Sequence, residues 1–248
     1  MRKNKGSSLR LPVVLVGTFA LFAACTPAPE GVTVNDPYED QNRRVHAFNK
    51  SVYTNLFSGG GDTEIPADIA EPIVNFAGNI GLPGMTLNGL LQGDFEAALT
   101  NAARFVVNTT VGIGGIADVA TEFGLDEQET DFGETLAVWG LPEGAYLELP
   151  ILGPSTERAF VGRIVDSVID PLDDVGFAFQ SDVSLAAKIA ERIVKRSQLS
   201  DTIDSVLEDS ADSYAQQRLI YLQNRRFELG TTPEEDAVDP YDELFGDL

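Results

Sequence analysis

Asp94-Phe95-Glu96-Ala97-Ala98-Leu99-Thr100-Asn101-Ala102-Ala103-Arg104-Phe105-Val106 is the stretch that decides the fold class. Asp94 can N-cap a helix by accepting a bond from a free first-turn amide. Phe95, Ala98, Leu99, Ala102, Phe105 and Val106 then recur at i, i+3, i+4, i+7, i+10 and i+11, a stripe along one helix face. Gly112, Gly114 and Gly115 end the run.

The same period extends to both sides. Asp40 to Phe57 reads as a helix with Val45, Phe48, Val52 and Leu56 on one face, ended by Ser58-Gly59-Gly60-Gly61-Asp62. Ile69 to Ile80 reads as a second, broken at Gly81-Leu82-Pro83-Gly84. After Gly153-Pro154 a helix is expected to start at Ser155, with Phe160, Val161, Ile164, Val165, Val168 and Ile169 as its stripe and Pro171 beyond its end. Val183 to Leu199 and Thr202 to Phe227 read as two longer helices. Strand signals are sparse, and Ala145 to Ile151 is extended at best. The chain is therefore expected to be mainly α, with no internal repeat and no linker to a second domain.

The amino terminus has a different character. Arg2, Lys3, Lys5 and Arg10 precede an apolar run of 12 residues from Leu11 to Phe22, too short to span a bilayer as a stable helix. Leu21-Phe22-Ala23-Ala24-Cys25 resembles the lipobox of bacterial lipoproteins. Residues 1–24 thus read as a signal peptide, and Cys25, the sole cysteine, as the lipid-attachment site. Pro27 and Pro29 follow at once and argue against a buried thiol in a continuing helix. A lone cysteine forms no internal disulfide and supports no thiolate-based zinc site. Residues 25–36 read as a lipidated flexible tether, 37–229 as the folded domain, and 230–248 as an acidic disordered tail.

Residues 1–24 contain four of the 17 basic residues and none of the 39 acidic ones, so the remaining 224 residues carry a formal charge of −26. Such a chain is repelled by nucleic-acid phosphates and by anionic headgroups. Contact with a membrane must come from apolar burial and the anchor. No segment after residue 24 has 18 consecutive apolar residues, so no transmembrane helix is expected, although amphipathic helices can lie in a leaflet on their apolar faces.

The motifs that suggest chemistry have plainer alternatives. Gly112-Ile113-Gly114-Gly115-Ile116-Ala117 matches G-x-G-x-x-A, but no parallel-strand series surrounds it, as a dinucleotide site requires. A helix-terminating turn needing positive φ and close backbone packing explains it better. His46, the single histidine, lacks a G-x-S-x-G partner and helical-spaced metal ligands, and reads as a surface or interface residue. Asp170, Asp173 and Asp174 lack calcium-loop spacing and read as a solvated helix end. Trp139-Gly140-Leu141-Pro142-Glu143-Gly144-Ala145-Tyr146 reads as a tight turn flanked by aromatics, either a core hairpin or a hinge beside a ligand path. No cofactor or metal is expected, and no catalysis.

Several segments in order resemble the MlaA/VacJ family of outer-membrane lipoproteins. They begin with Asp36-Pro37-Tyr38-Glu39, Asn42-Arg43 and Phe48-Asn49, and continue through Asn75, Asn79, Pro83, Asn88 and Leu91-Gln92-Gly93. Arg104-Phe105, Asn108, Gly112, Gly114-Gly115 and Asp118 extend the match. Phe132-Gly133, Trp139-Gly140, Gly144, Tyr146, Gly153-Pro154-Ser155, Arg158, Gly162 and Asp170-Pro171 complete it. Pro142-Glu143 departs from a more Gly-rich hairpin. The resemblance covers about Asp36 to Leu229.

The resemblance implies a ring-like helical domain in the inner leaflet of the outer membrane, associated with a trimeric porin. A central channel would let phospholipids misplaced in the outer leaflet pass inward to a soluble, MlaC-like periplasmic carrier. Moving two acyl chains of ~16 carbons through water costs on the order of 25 kcal/mol at ~0.8 kcal/mol per CH₂, and an amphiphilic path lowers that barrier without breaking a bond. Gly112, Gly114, Gly115, Trp139, Gly140 and Gly144 are the candidate channel or hinge residues, and Leu125 to Asp131 a candidate porin contact. The rival readings are a lipoprotein that only braces porins and a periplasmic lipid hydrolase using Ser155 and His46.

Overall fold

The computed structural model describes residue 26 and residues 34–57, 65–169, 180–198 and 210–230. Cys25, the glycines at 59–61, the carboxylates of Asp170, Asp173 and Asp174, and the tail from residue 231 lie outside the described residues. Among those residues the chain is mainly helical. The elements are α1 (Glu39–Phe57), α2 (Ala67–Gln92), α3 (Phe95–Thr110), α4 (Val119–Glu122), α5 (Phe132–Val138), β1 (Tyr146–Leu149), β2 (Gly153–Thr156), α6 (Glu157–Ile169), α7 (Gln180–Gln198) and α8 (Ser213–Glu228).

The deciding helix has the expected limits. The Asp94 side chain accepts from the Ala97 amide at 2.9 Å, and α3 ends where the glycines begin. Helix α2 departs from expectation: it runs unbroken through Gly81-Leu82-Pro83-Gly84 to Gln92. Pro83 cannot donate to the carbonyl four residues back, a loss of about 3 kcal/mol in a helix interior. Burial of Ala77, Ile80 and Leu82, in a helix packed between α3 and α7, offsets it, since a buried Leu or Ile contributes about 1.5–3 kcal/mol.

Two further expectations are corrected. Gly153–Thr156 is a strand, paired antiparallel with β1 in the register Tyr146↔Thr156 to Leu149↔Gly153, so α6 starts at Glu157 and not at Ser155. Backbone pairing across the hairpin outcompetes an early helix start there. The expected helix over 202–227 is interrupted: residues 210–212 form a bend and turn, and Asp212 caps α8 by accepting from the Ala215 amide. The Trp139–Tyr146 stretch is not a hairpin but a helix stop followed by irregular chain. Gly140, at φ +87°, donates to the Ala137 carbonyl, while the Leu141 amide reaches back to Leu136. This left-handed cap satisfies carbonyls that the last turn would otherwise leave open. Leu136 and Leu141 then pack together with Phe132 in one core cluster, against Val161, Val165 and Ile169 of α6.

Asp212 also accepts two bonds from Arg43, at 3.0 and 2.8 Å, tying α8 to α1. Arg43 first, then the Ala215 amide, lower its carboxyl from an ordinary 3.8 to about 2. A carboxylate depressed on folding stabilises the fold above its unfolded value, and that contribution is lost as pH falls through the folded one. The window here is pH 3.8 down to about 2. The pair is exposed, so its energy is small, at most about 1 kcal/mol. Arg43→Ala is expected to move the Asp212 midpoint up toward the ordinary value, as read by carboxyl-carbon NMR titration.

Candidate functional site

Two helices turn their polar faces inward. In α3 the buried positions include Asn101, at 0% exposure, Arg104, at 3%, and Asn108, whereas Leu99 of the apolar stripe is 71% exposed. Phe95 and Val106 are also exposed, and the loop beyond α3 adds Val111, Ile113, Ile116 and Phe123. In water this arrangement forfeits about 1.5–3 kcal/mol for each large side chain left uncovered. Large apolar side chains exposed in this number along one helix and the loop after it point to an interaction with a membrane or a protein.

The inward polar face of α3 holds the loop that carries half of that surface. The Asn101 amide pairs with the backbone of Gln128, donating at 2.8 Å and accepting at 3.1 Å. Asn108 accepts from the Ala120 amide at 2.8 Å and donates to Asp118 at 2.9 Å. Arg104 donates to both Asp118 oxygens at 3.1 and 3.0 Å, to Thr121 Oγ1 at 3.0 Å, and to the Leu125 carbonyl. Burial opposes the charge of Asp118, but hydrogen bonds from Thr121, Asn108 and Arg104 outweigh it and hold its carboxyl below the usual range.

The glycine turn within this loop is structural, as the plainer reading expects. Gly115 sits at φ +92°, and a Cβ on it would lie 2.4 Å from Asn79 Nδ2; one on Gly112 would lie 2.2 Å from the Ala117 carbonyl oxygen. The left-handed φ at Gly115 and the backbone carbonyl crowding at Gly112 each favour glycine. No βαβ unit surrounds it among the described residues.

Helix α1 repeats the inversion. Its buried residues are Asn42 and His46, and Phe48 of the apolar stripe is exposed. Asn42 donates to the Tyr146 carbonyl at 3.0 Å and accepts from the Glu148 amide at 2.9 Å. Asn49 donates to the Leu149 carbonyl at 2.9 Å and accepts from the Ile151 amide at 2.7 Å. These two carboxamides stand in for a third strand and close the free edge of β1. His46 is buried where α1, β1 and α8 meet. Its Nε2 lies 3.0 Å from Ser213 Oγ, and its Nδ1 lies 3.9 Å from Glu148 Oε1, too far for a hydrogen bond.

No spacing rule in the sequence points to this serine–histidine–carboxylate neighbourhood, because its members are over 60 positions apart in the chain. Glu148 is committed elsewhere: it accepts from Tyr146 OH at 2.6 Å, Asn49 at 3.0 Å and Gln217 at 3.3 Å. Ser155, the residue of the hydrolase reading, is fully buried and bonds the Thr156 carbonyl, so the structure does not bring it to His46 as a nucleophile.

A cavity of about 190 Å³ lies between α2 and α6, lined by Gly81, Gly84, Met85, Leu87, Asn88, Thr130, Asp166 and Ile169. A polar chain crosses its wall. Asn88 donates to Asp166 at 2.9 Å and accepts from Thr135 at 3.0 Å, and Gln92 donates to Thr130 at 2.6 Å and to Thr135 at 3.0 Å. Met85, Leu87 and Ile169 supply apolar wall. At this size it cannot enclose a whole phospholipid, since enclosed small-ligand sites span ~300–1,000 Å³. None of the six candidate channel or hinge residues lines it. Gly112, Gly114 and Gly115 lie beside the outward apolar surface. Trp139 donates to the Leu91 carbonyl at 3.1 Å, which ties the Gly140–Gly144 turn to the end of α2. Among the described residues, no helix is long and apolar enough to cross a membrane, and no group of three or more metal-ligating side chains comes together.

A model of the family described as MlaA lipoprotein matches residues 34–228. The Escherichia coli K12 protein named intermembrane phospholipid transport system lipoprotein MlaA is 30% identical over 226 residues, 88% of each chain. A Rickettsia bellii protein without an assigned function is 35% identical over 186 residues, 73% of this chain and 72% of the relative. A solved structure described as giving the structural basis for maintenance of bacterial outer membrane lipid asymmetry superposes with a TM-score of 0.66 at 30% identity, covering 78% of this chain and 98% of the other.

Proposed function

The chain belongs to the MlaA lipoprotein family, and on that premise we propose that it acts in intermembrane phospholipid transport and so maintains the lipid asymmetry of the outer membrane. The observation that carries this reading is the inverted amphipathicity of α3: an apolar surface faces outward while asparagines and arginine face in. A protein that rests in one leaflet without spanning it needs such a surface.

The finer reading is that phospholipids misplaced in the outer leaflet pass through the domain to a soluble periplasmic carrier, with a porin trimer beside it and the lipid on Cys25 in the periplasmic leaflet. The cavity between α2 and α6 supports a path whose wall carries both polar and apolar groups, as a headgroup followed by acyl chains requires. The Gly112–Gly115 turn and the Trp139–Gly144 turn, outside the wall of that cavity, are proposed as hinges, with the acidic stretch from Leu125 to Asp131 toward the porin.

A deletion strain tests the function. It is expected to accumulate surface-exposed phospholipid and to become sensitive to detergent with chelator, and complementation should reverse both. An unchanged outer leaflet with destabilised porin trimers would overturn the transport reading in favour of a brace. The apolar surface has its own test. In the chain lacking residues 1–25, replacing Leu99, Val106 and Ile113 with asparagine is expected to leave thermal stability within ~0.5 kcal/mol, as for exposed positions generally. Flotation with phospholipid vesicles should fall about a hundredfold or more, from ~1.5–3 kcal/mol per large apolar side chain at ~1.4 kcal/mol per decade.

A further inference from the structure

Thr26 follows the lipid-attachment cysteine directly, and every polar group it carries is engaged. Its amide donates to Glu157 Oε2 at 2.5 Å, its hydroxyl to Glu157 Oε1 at 2.9 Å, and its carbonyl accepts from Asn35 Nδ2 at 2.9 Å. Glu157 is itself fixed, since its Oε2 also accepts from the Ala145 amide at 3.1 Å and its own amide donates to the Ala145 carbonyl at 3.0 Å. Asn35 is fixed in turn by the Tyr146 amide, which donates to its carbonyl at 2.7 Å. A residue in a free tether would leave these groups to water. A carboxylate that accepts both an amide and a hydroxyl from one residue makes paired charge-assisted bonds, about twice the strength of neutral ones.

We propose that Glu157 and Asn35 form an intramolecular docking site for the residue beside the lipidated cysteine, so that the anchor leaves the domain at one defined point. The inference rests on the lipoprotein reading above. The position of that point gives the site a purpose. Glu157 opens α6, and Phe160, Ile164 and Val168, three, seven and eleven positions on, share its face of the helix and are exposed. Consecutive Cα atoms are 3.80 Å apart across a trans peptide, so docking Thr26 brings the acylated residue to the head of that stripe. The acyl chains and the stripe then meet the leaflet on the same side of the protein, and the anchor orients the domain as well as holding it.

The test uses the mature, lipidated full chain in nanodiscs, with Thr26→Val and Glu157→Gln. Thr26→Val removes one donor and leaves the Ala145 bond to Glu157 intact. Amide hydrogen exchange read by NMR on ¹⁵N-threonine protein should show the Thr26 amide protected in the wild type. With ¹⁵N-valine labelling for the Thr26→Val chain, the residue-26 amide should exchange about tenfold faster in Thr26→Val and about a hundredfold faster in Glu157→Gln, as the local opening free energy falls, with the melting temperature of Thr26→Val unchanged. The mass of the amino-terminal peptide reports acylation separately. Acylated Cys25 with a freely exchanging Thr26 amide in the wild type would overturn the docking site alone. An unacylated Cys25 in the mature protein would overturn the lipoprotein premise and the docking site with it.

Discussion

Replacing Arg104 with alanine is expected to cost about 3–5 kcal/mol, the range for removing one partner of a buried ion pair. The guanidinium is almost wholly enclosed and reaches Asp118, Thr121 and the Leu125 carbonyl, with Glu127 at 3.7 Å. Deleting it removes the nearest cation from two carboxylates. Burial already pushes the Glu127 carboxyl up, with Arg104 pulling it down, so its loss raises Glu127 further. Asp118 loses one of the three hydrogen-bond donors that hold its carboxyl low. The sign of the pH effect follows. In the wild type the Asp118 contribution is present above the ordinary carboxylate value and is lost as pH falls through its lower folded value. In the variant that loss begins at higher pH. Chemical denaturation at neutral and acid pH should show a large loss of stability at neutral pH and a smaller gap at low pH. A variant as stable as wild type at pH 7 would show that the loop from Gly112 to Leu125 is held by Asn108 of α3 without Arg104.

Gly162→Ala is the second large effect, and it comes from backbone. A Cβ at Gly162 would lie 2.3 Å from the Gly133 nitrogen and 2.6 Å from its Cα. Helices α5 and α6 touch glycine to glycine there, and no side chain can rotate away. Exchanging glycine for alanine inside a helix otherwise gains about 0.5–1 kcal/mol. The overlap should exceed that gain, giving a net loss of about 2–3 kcal/mol, at the upper end for overpacked sites. For a chain of this size the melting temperature should drop by roughly 5–10 °C. Gly84→Ala is the internal control. Nothing lies within 4 Å of a Cβ at that helical position, so it should gain up to ~1 kcal/mol. Thermal unfolding of the two variants side by side should move in opposite directions. A stabilised Gly162→Ala would mean that α5 and α6 can separate at little cost.

The limits of α3 were legible because local chemistry sets them. One side-chain oxygen at Asp94 and a run of glycines after Val111 act within a few residues. The continuation of α2 through Pro83 was not, because the compensation comes from α3 and α7, and packing between elements leaves no mark in a local window. The break before α8 was missed for a related reason. Asp212 reads as an ordinary polar residue in a helical pattern until Arg43 and the Ala215 amide are seen converging on it. His46 shows the same limit. Its neighbours Glu148 and Ser213 are distant in the chain, and no spacing rule connects them.

The sequence alone determined that the chain is mainly helical, that Cys25 follows a signal-like segment, that the chain is strongly acidic, and that an ordered set of motifs resembles one lipoprotein family. These depend on composition, period and order, which are linear properties. It also marked Phe95, Leu99 and Val106 as one face of a helix. Only the tertiary structure decided which way that face points. Periodicity measures the contrast between two sides of a helix and is blind to which side the rest of the protein covers. Here Asn101, Arg104 and Asn108 satisfy a neighbouring loop's backbone and carboxylates, and those bonds need partners that only folding brings near. The polar side therefore went in, and the apolar side was left exposed.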